Sequence, residues 1–114
     1  MTAEYALTSE EVFPDIICFH AQQSAEKCLK ALIVKHEDPV PRTHNLGNLV
    51  SLIAEWDFLI MDILDDALLL TPYAIESRYP DTDTPSYEDA KEAIESANRI
   101  RDLVMRRSPF IPSL

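Results

Sequence analysis

Glycine is almost missing from this chain, with one residue in 114, far below ordinary usage. Tight hairpins need residues at positive φ, so the shortage disfavours a hairpin-rich β protein. Cysteine is nearly as scarce: Cys18 and Cys28 are the only two. On one helix, at about 1.5 Å rise per residue, their backbones lie roughly 15 Å apart, beyond disulfide reach, so both read as buried free thiols. The sequence shows no secretory signal, stop-transfer stretch or apolar run of spanning length. A cytoplasmic protein that does not engage the membrane is the expectation. Paired metal-ligand spacings such as HxxxH or CxxC are missing, as are GxSxG and a glycine-rich phosphate loop. Neither a metal site, nor a cofactor, nor nucleophilic catalysis has a signature here.

Positive charge is the next shortage. The net charge is −10, and it is unevenly placed. Residues 37–85 hold ten acids against two basic residues, Arg42 and Arg78. A surface of that kind repels a nucleic-acid backbone and argues against bulk nucleic acid as a partner. Three readings stay open: an acidic face kept for solubility, a basic protein partner, or a small anion gripped by the two arginines.

What the chain does have is helical periodicity, in a length that suits one domain. We assign that domain to residues 1–108, with a tail at 109–114. From Pro14 to about His36, Ile17, Ala21, Ser24, Ala25, Cys28 and Leu32 share one side of a helix. Ile16, Phe19, Ile33 and Val34 lie on the opposite arc beside Gln23, Glu26, Lys27 and Lys30, which predicts a helix buried on two sides. Pro39 and Pro41 break the chain. Thr43 or His44 is expected to open a second helix facing inward through Leu46, Leu49, Val50 and Ile53. Asp57 to about Leu70 reads as a third, with Ile60, Ile63 or Leu64, Ala67 and Leu68 inside, kinked or ended by Pro72. The PDTDTP stretch at 80–85 is a loop by composition. The last helix is expected to start at Ser86 as N-cap with Asp89 at N3, to bury Ala90, Ala93, Ile94, Ala97, Ile100 and Val104, and to stop at Pro109.

Three islands carry the candidate site residues. The first is FHAQQSAEKCLK, residues 19–30. Its Gln22, Gln23, Glu26, Lys27 and Lys30 form either a solvated face with a Glu26–Lys30 pair or, since two adjacent glutamines in a packed helix invite one, a polar network in which a partly buried Glu26 needs a cationic partner, with Arg42 and Arg78 as long-reach candidates. The second is Pro41-Arg42-Thr43-His44, where His44 either helps begin a helix or joins a site. The third is Arg78-Tyr79-Pro80-Asp81. There Arg78 either bridges to Asp81 or the acidic helix while Tyr79 packs, or serves as a fork for phosphate or carboxylate.

Taken together, FHAQQSAEKCLKALIV at 19–34, PRTHNLGNL at 41–49, ESRYPD at 76–81 and SYEDAKEAIESANRI at 86–100 resemble the HEPN domain family. The resemblance covers nearly the whole chain. It implies an all-α, up-and-down bundle of four to five helices, commonly a homodimer, in the cytoplasm of bacteria and archaea. It also implies a minimal nucleotidyltransferase as partner. Two departures matter. Only Met1 to Phe13 precede the FHAQQ helix, so the family's first helix is expected to be shortened, with Ala3–Leu7 as its tail. Ribonuclease members carry an arginine followed after four to six residues by a histidine, and no arginine here has one in that window.

The expected function is therefore a non-catalytic, dimeric binding module. It pairs with a nucleotidyltransferase in a toxin–antitoxin-like arrangement and binds a nucleotide through Gln23, Glu26, Lys27, Lys30, Arg42, His44, Arg78, Tyr79 and Asp81. The alternative is a divergent, metal-independent ribonuclease using Arg42, His44 and Arg78.

Overall fold

The computed structural model describes residues 13–74 and 85–107. Within them the chain is all-α, with no strand: α1 (Pro14–Lys35), α2 (Leu46–Ala54), α3 (Leu64–Leu70) and α4 (Tyr87–Arg107), with short 3-10 helices at Phe58–Ile63 and Thr71–Ala74. The shortened first helix, most of the 80–85 loop, and Pro109 lie outside the described residues.

α1 opens on Pro14, whose fixed φ and missing N–H suit a first helical turn. It ends in a reversal without glycine. The Asp38 N–H donates to the Ile33 carbonyl at 3.2 Å and the Glu37 N–H to that of Val34 at 2.9 Å. Glu37 between them sits at φ 65. These are the two backward bonds of a Schellman ending, with glutamate in the left-handed position that glycine usually takes. The reversal sends the chain back along α1. Gln22 Nε2 donates to the His44 carbonyl at 3.0 Å, while His36 at the far end of α1 stacks on Trp56, rings 3.7 Å apart and 3° from parallel. α2 therefore starts beside the middle of α1 and runs the same general way.

α2 begins at Leu46, later than Thr43 or His44, because both side chains are engaged otherwise. The Thr43 hydroxyl accepts from the Asn45 N–H at 3.1 Å, and His44 turns toward α1. Asn45 is the cap, its Oδ1 accepting from the Asn48 N–H at 3.2 Å. The orphan N–H of Leu46 donates to Thr71 Oγ1 at 3.1 Å, and that hydroxyl donates to the Ala67 carbonyl at 2.8 Å. Gly47 lies where this approach is closest. A Cβ there would stand 3.1 Å from Leu68 Cδ2.

The stretch 57–70 is two segments rather than one helix. Over Phe58–Ile63 it winds as a 3-10 helix, which stacks residues three apart, and only then relaxes into α3. Ile60, Ile63 and Ala67 point inward as expected. The change of winding rotates the turns of α3, so Leu68 is 53% exposed while Asp66 and Leu70 are buried. α3 ends at Leu70 as expected, and Pro72 follows inside the Thr71–Ala74 turn, where the winding changes to 3-10.

α4 starts on a reciprocal cap: the Ser86 N–H donates to Asp89 Oδ2 at 2.9 Å and the Asp89 N–H to Ser86 Oγ at 3.1 Å. Its small residues Ala90, Ala93 and Ala97 are buried, which lets α4 lie close along α1, its most extensive neighbour. The core runs through Ile17, Leu29, Ile33, Leu46, Ile53, Ile60, Leu70 and Ile100, all fully buried, each contributing about 1.5–3 kcal/mol. The expected burial of α1 on two sides is not what the fold shows: of the opposite arc only Ile33 is buried, Phe19 is half-buried, and Ile16 and Val34 stay at the surface, so α1 buries one broad face.

Candidate functional site

Glu26 is the centre of the best-organised polar cluster. It lies on α1, and its side chain is 10% exposed. A carboxylate so placed must be surrounded by donors or give up its charge. Four bonds meet it. Lys30, one turn on, donates from Nζ to Oε2 at 3.0 Å. Gln22, one turn back, donates from Nε2 to Oε1 at 3.2 Å. His44 Nδ1, delivered by the returning 38–45 segment, lies 2.9 Å from Oε1 and 3.1 Å from Oε2. Gln23 Nε2 braces Gln22 by donating to its Oε1 at 2.8 Å.

The electrostatic outcome has a clear sign. Burial pushes the Glu26 carboxyl up, but the bonds from His44, Lys30 and Gln22 and the Lys30 charge together outweigh it and hold the group below its ordinary 4.5. Glu26 is thus an anion at neutral pH. Because its oxygens occupy Nδ1, the imidazole of His44 presents Nε2 outward, and the side chain is 69% exposed. A fixed imidazole with an open nitrogen can accept a proton or donate a hydrogen bond to an anion.

Of the residues named from sequence, the structure brings Gln23, Glu26, Lys30 and His44 into one network. Lys27 and Arg42 are exposed at its margin, and no ion pair joins Arg42 to another described residue. Glu26 finds its cationic partner in Lys30, with a ring nitrogen of His44 as a further partner, rather than in Arg42. Arg78, Tyr79 and Asp81 lie outside the described residues. Gln22 completes the network and is fully buried. Its neighbouring glutamine was the sequence signal, since two adjacent amides in a packed helix imply polar partners.

A family model for the HEPN domain matches residues 2–107. The chain belongs to the HEPN family. A search of curated proteins and one of solved structures each gave no match. In this HEPN domain the network ties the FHAQQ helix to the PRTH segment, so two of the sequence islands are one structural unit. No helix among the described residues is long and apolar enough to cross a membrane.

A second polar centre had no visible signal in the sequence. Asp66 on α3, buried, accepts at Oδ1 from Ser96 Oγ at 2.9 Å and from Arg99 Nε at 2.9 Å, and Arg99 Nη2 lies 2.8 Å from the same oxygen. It clamps α3 to α4 in this HEPN domain. Nothing local marks Asp66, because its partners are thirty residues or more away.

Proposed function

We propose that this HEPN domain is a non-catalytic, dimeric binding module that partners a minimal nucleotidyltransferase in a toxin–antitoxin-like pair and takes a nucleotide phosphate at the face shared by α1 and residues 38–45. The observation that supports it is the Glu26 network. Glu26 holds Lys30 and His44 in place at the surface, and Lys27 and Arg42 stand exposed beside them. In a chain of net charge −10, this is a local concentration of cationic donors with the fork of an arginine among them. A cytoplasmic setting goes with the reading, supported by two buried free thiols.

Calorimetric titration of ATP into the protein tests the nucleotide half. Saturable binding, weakened about tenfold or more by Arg42→Ala through loss of charged hydrogen bonds, supports the reading; absence of saturable heat sinks it. A monomer in sedimentation at micromolar concentration removes the dimer. Failure to co-purify with a co-expressed nucleotidyltransferase encoded beside it removes the partner.

A second reading is favoured by one specific feature. Glu26 orients His44 with Nε2 open to solvent, the arrangement a general base needs. A divergent, metal-independent ribonuclease would use His44 to move the proton and Arg42 and Arg78 to stabilise the phosphate. RNA cleavage by the purified protein that His44→Ala abolishes decides for the enzyme, and no cleavage by either protein decides for the module.

A further inference from the structure

The chain has three histidines, and they differ in what holds the ring. His20 on α1 is exposed and meets the edge of Phe19, ring centroids 5.8 Å apart, with no hydrogen bond to another described residue. His36 pairs its Nδ1 with Asp38 Oδ2 at 3.2 Å, but that carboxylate is itself 32% exposed and one face of the ring is covered by Trp56. His44 is pinned through both backbone and side chain. The fully buried Gln22 donates to its carbonyl at 3.0 Å, and the Glu26 carboxylate, 10% exposed, lies 2.9 Å from its Nδ1.

The identity of the free nitrogen follows. Glu26 is an anion in these surroundings, and a carboxylate accepts hydrogen bonds without donating any. Nδ1 of His44 therefore carries the hydrogen, and in the neutral ring Nε2 is the bare nitrogen. The side chain is 69% exposed, so the Nε2 lone pair is open to a reagent. Lys30 Nζ donates to Glu26 Oε2 at 3.0 Å, and His44 Nδ1 lies 3.1 Å from the same oxygen, which sets an ammonium beside the ring. A bare nucleophilic nitrogen, a carboxylate fixed behind it and a cation at its side are the parts that phosphoryl transfer to nitrogen uses.

We propose that His44 is a phosphoacceptor, its Nε2 taking a phosphoryl group from a donor with a good leaving group to give a phosphohistidine. The Nε2 lone pair forms the new N–P bond. The bond from phosphorus to the leaving group breaks, and its electron pair departs with that group. No proton has to leave the ring: the product imidazolium keeps its hydrogen on Nδ1, where the negative charge of Glu26 offsets the positive charge of the ring. Lys30, whose ammonium has donors to spare, is placed to meet the phosphoryl oxygens. This goes beyond the reading above, in which the same face only binds a phosphate, and it does not depend on nucleotide binding. Two donor classes share the chemistry: a nucleoside triphosphate and a small activated phosphate.

Incubation of the native protein with phosphoramidate, followed by peptide mass spectrometry under alkaline conditions that preserve phosphohistidine, tests the proposal. His20 and His36 are internal controls, so the comparison needs no variant. His44 should be modified about tenfold or more faster than either, and denaturant should erase the preference. Glu26→Gln, checked for folding by circular dichroism, should slow His44 about tenfold and leave His20 and His36 unaltered. Equal labelling of the three in native protein, a phosphate found on Nδ1 by 31P NMR, or a His44 rate untouched in a folded Glu26→Gln would each overturn the proposal. Transfer from the γ-phosphate of ATP as well assigns the donor to nucleoside triphosphates; transfer from phosphoramidate alone assigns it to small activated phosphates. Selective labelling of His44 without saturable ATP binding removes the nucleotide reading and leaves this one standing.

Discussion

Replacing Glu26 with glutamine keeps shape and volume and removes one charge, so its effect can be worked out bond by bond. The Lys30 ion pair, part-buried with side-chain exposures of 25% and 10%, is lost, because an amide nitrogen then faces the Lys30 ammonium. That contributes about 0.5–1 kcal/mol. The bonds from His44 and Gln22 survive only as neutral-acceptor bonds, and only one acceptor oxygen remains for them. That contributes roughly another 1 kcal/mol. A destabilisation of about 1–2 kcal/mol at neutral pH corresponds to a fall of about 4–8 °C in Tm for a domain of this size, read from far-UV circular dichroism melts. The pH dependence adds a stricter test. The folded Glu26 titrates below its ordinary 4.5, so the stability it confers is fully present above 4.5 and is lost as pH falls through the lower folded value. The gap in Tm between wild type and Glu26→Gln should therefore be widest near neutrality and close as the solution becomes more acidic than 4.5. A variant as stable as wild type at neutral pH, or a gap that persists in strong acid, refutes the reasoning.

Glu37→Gly should raise stability by about 0.5–1 kcal/mol in urea melts, since relief of a left-handed penalty of about 1–2 kcal/mol exceeds the added chain entropy of glycine, about 0.5–1 kcal/mol; Glu37→Ala, which keeps the penalty, should gain nothing. Burial pushes the Cys18 thiol up to about 11 and raises that of Cys28, so a thiol-labelling reagent at neutral pH should modify neither in the native protein and both once denaturant is added. Asp66→Ala should cost about 2–3 kcal/mol by leaving Ser96 and Arg99 without their acceptor, and the double variant with Arg99→Ala should lose less than the two single losses combined, as a double-mutant cycle would record. Ser86→Ala should lower stability by about 1 kcal/mol through loss of the α4 cap, measured by the same urea melts.

The parts of this fold that were legible in sequence are those governed by local rules. The inward faces of α1, α2 and α4 follow from spacing alone, and the Ser86–Asp89 cap from two residues three apart. The stretch 57–70 misled because a 3-10 segment and an α-helix share an apolar content but not a period. No pattern of leucines distinguishes them until the core has chosen the register, and so Leu68 was misplaced and Asp66 overlooked. The site was half legible. The adjacent glutamines and the Glu26–Lys30 spacing announced a network on α1. That His44 would close it depended on the chain folding back at Glu37, a non-glycine residue at positive φ, which sequence rules assign to glycine or asparagine. Asp66 pairs with residues far along the chain, and long-range pairing leaves no periodic trace.

Trp56, the single tryptophan, rests flat against His36 at the end of α1, ten residues and so about 15 Å along the helix from Glu26. Its emission consequently reads the far end of the bundle and is blind to the cationic face. A ligand settling beside His44 should leave the indole spectrum untouched, whereas anything that pries the imidazole of His36 away should shift it to the red. One unlabelled cuvette measurement can thus tell which end of the molecule a binding event has visited.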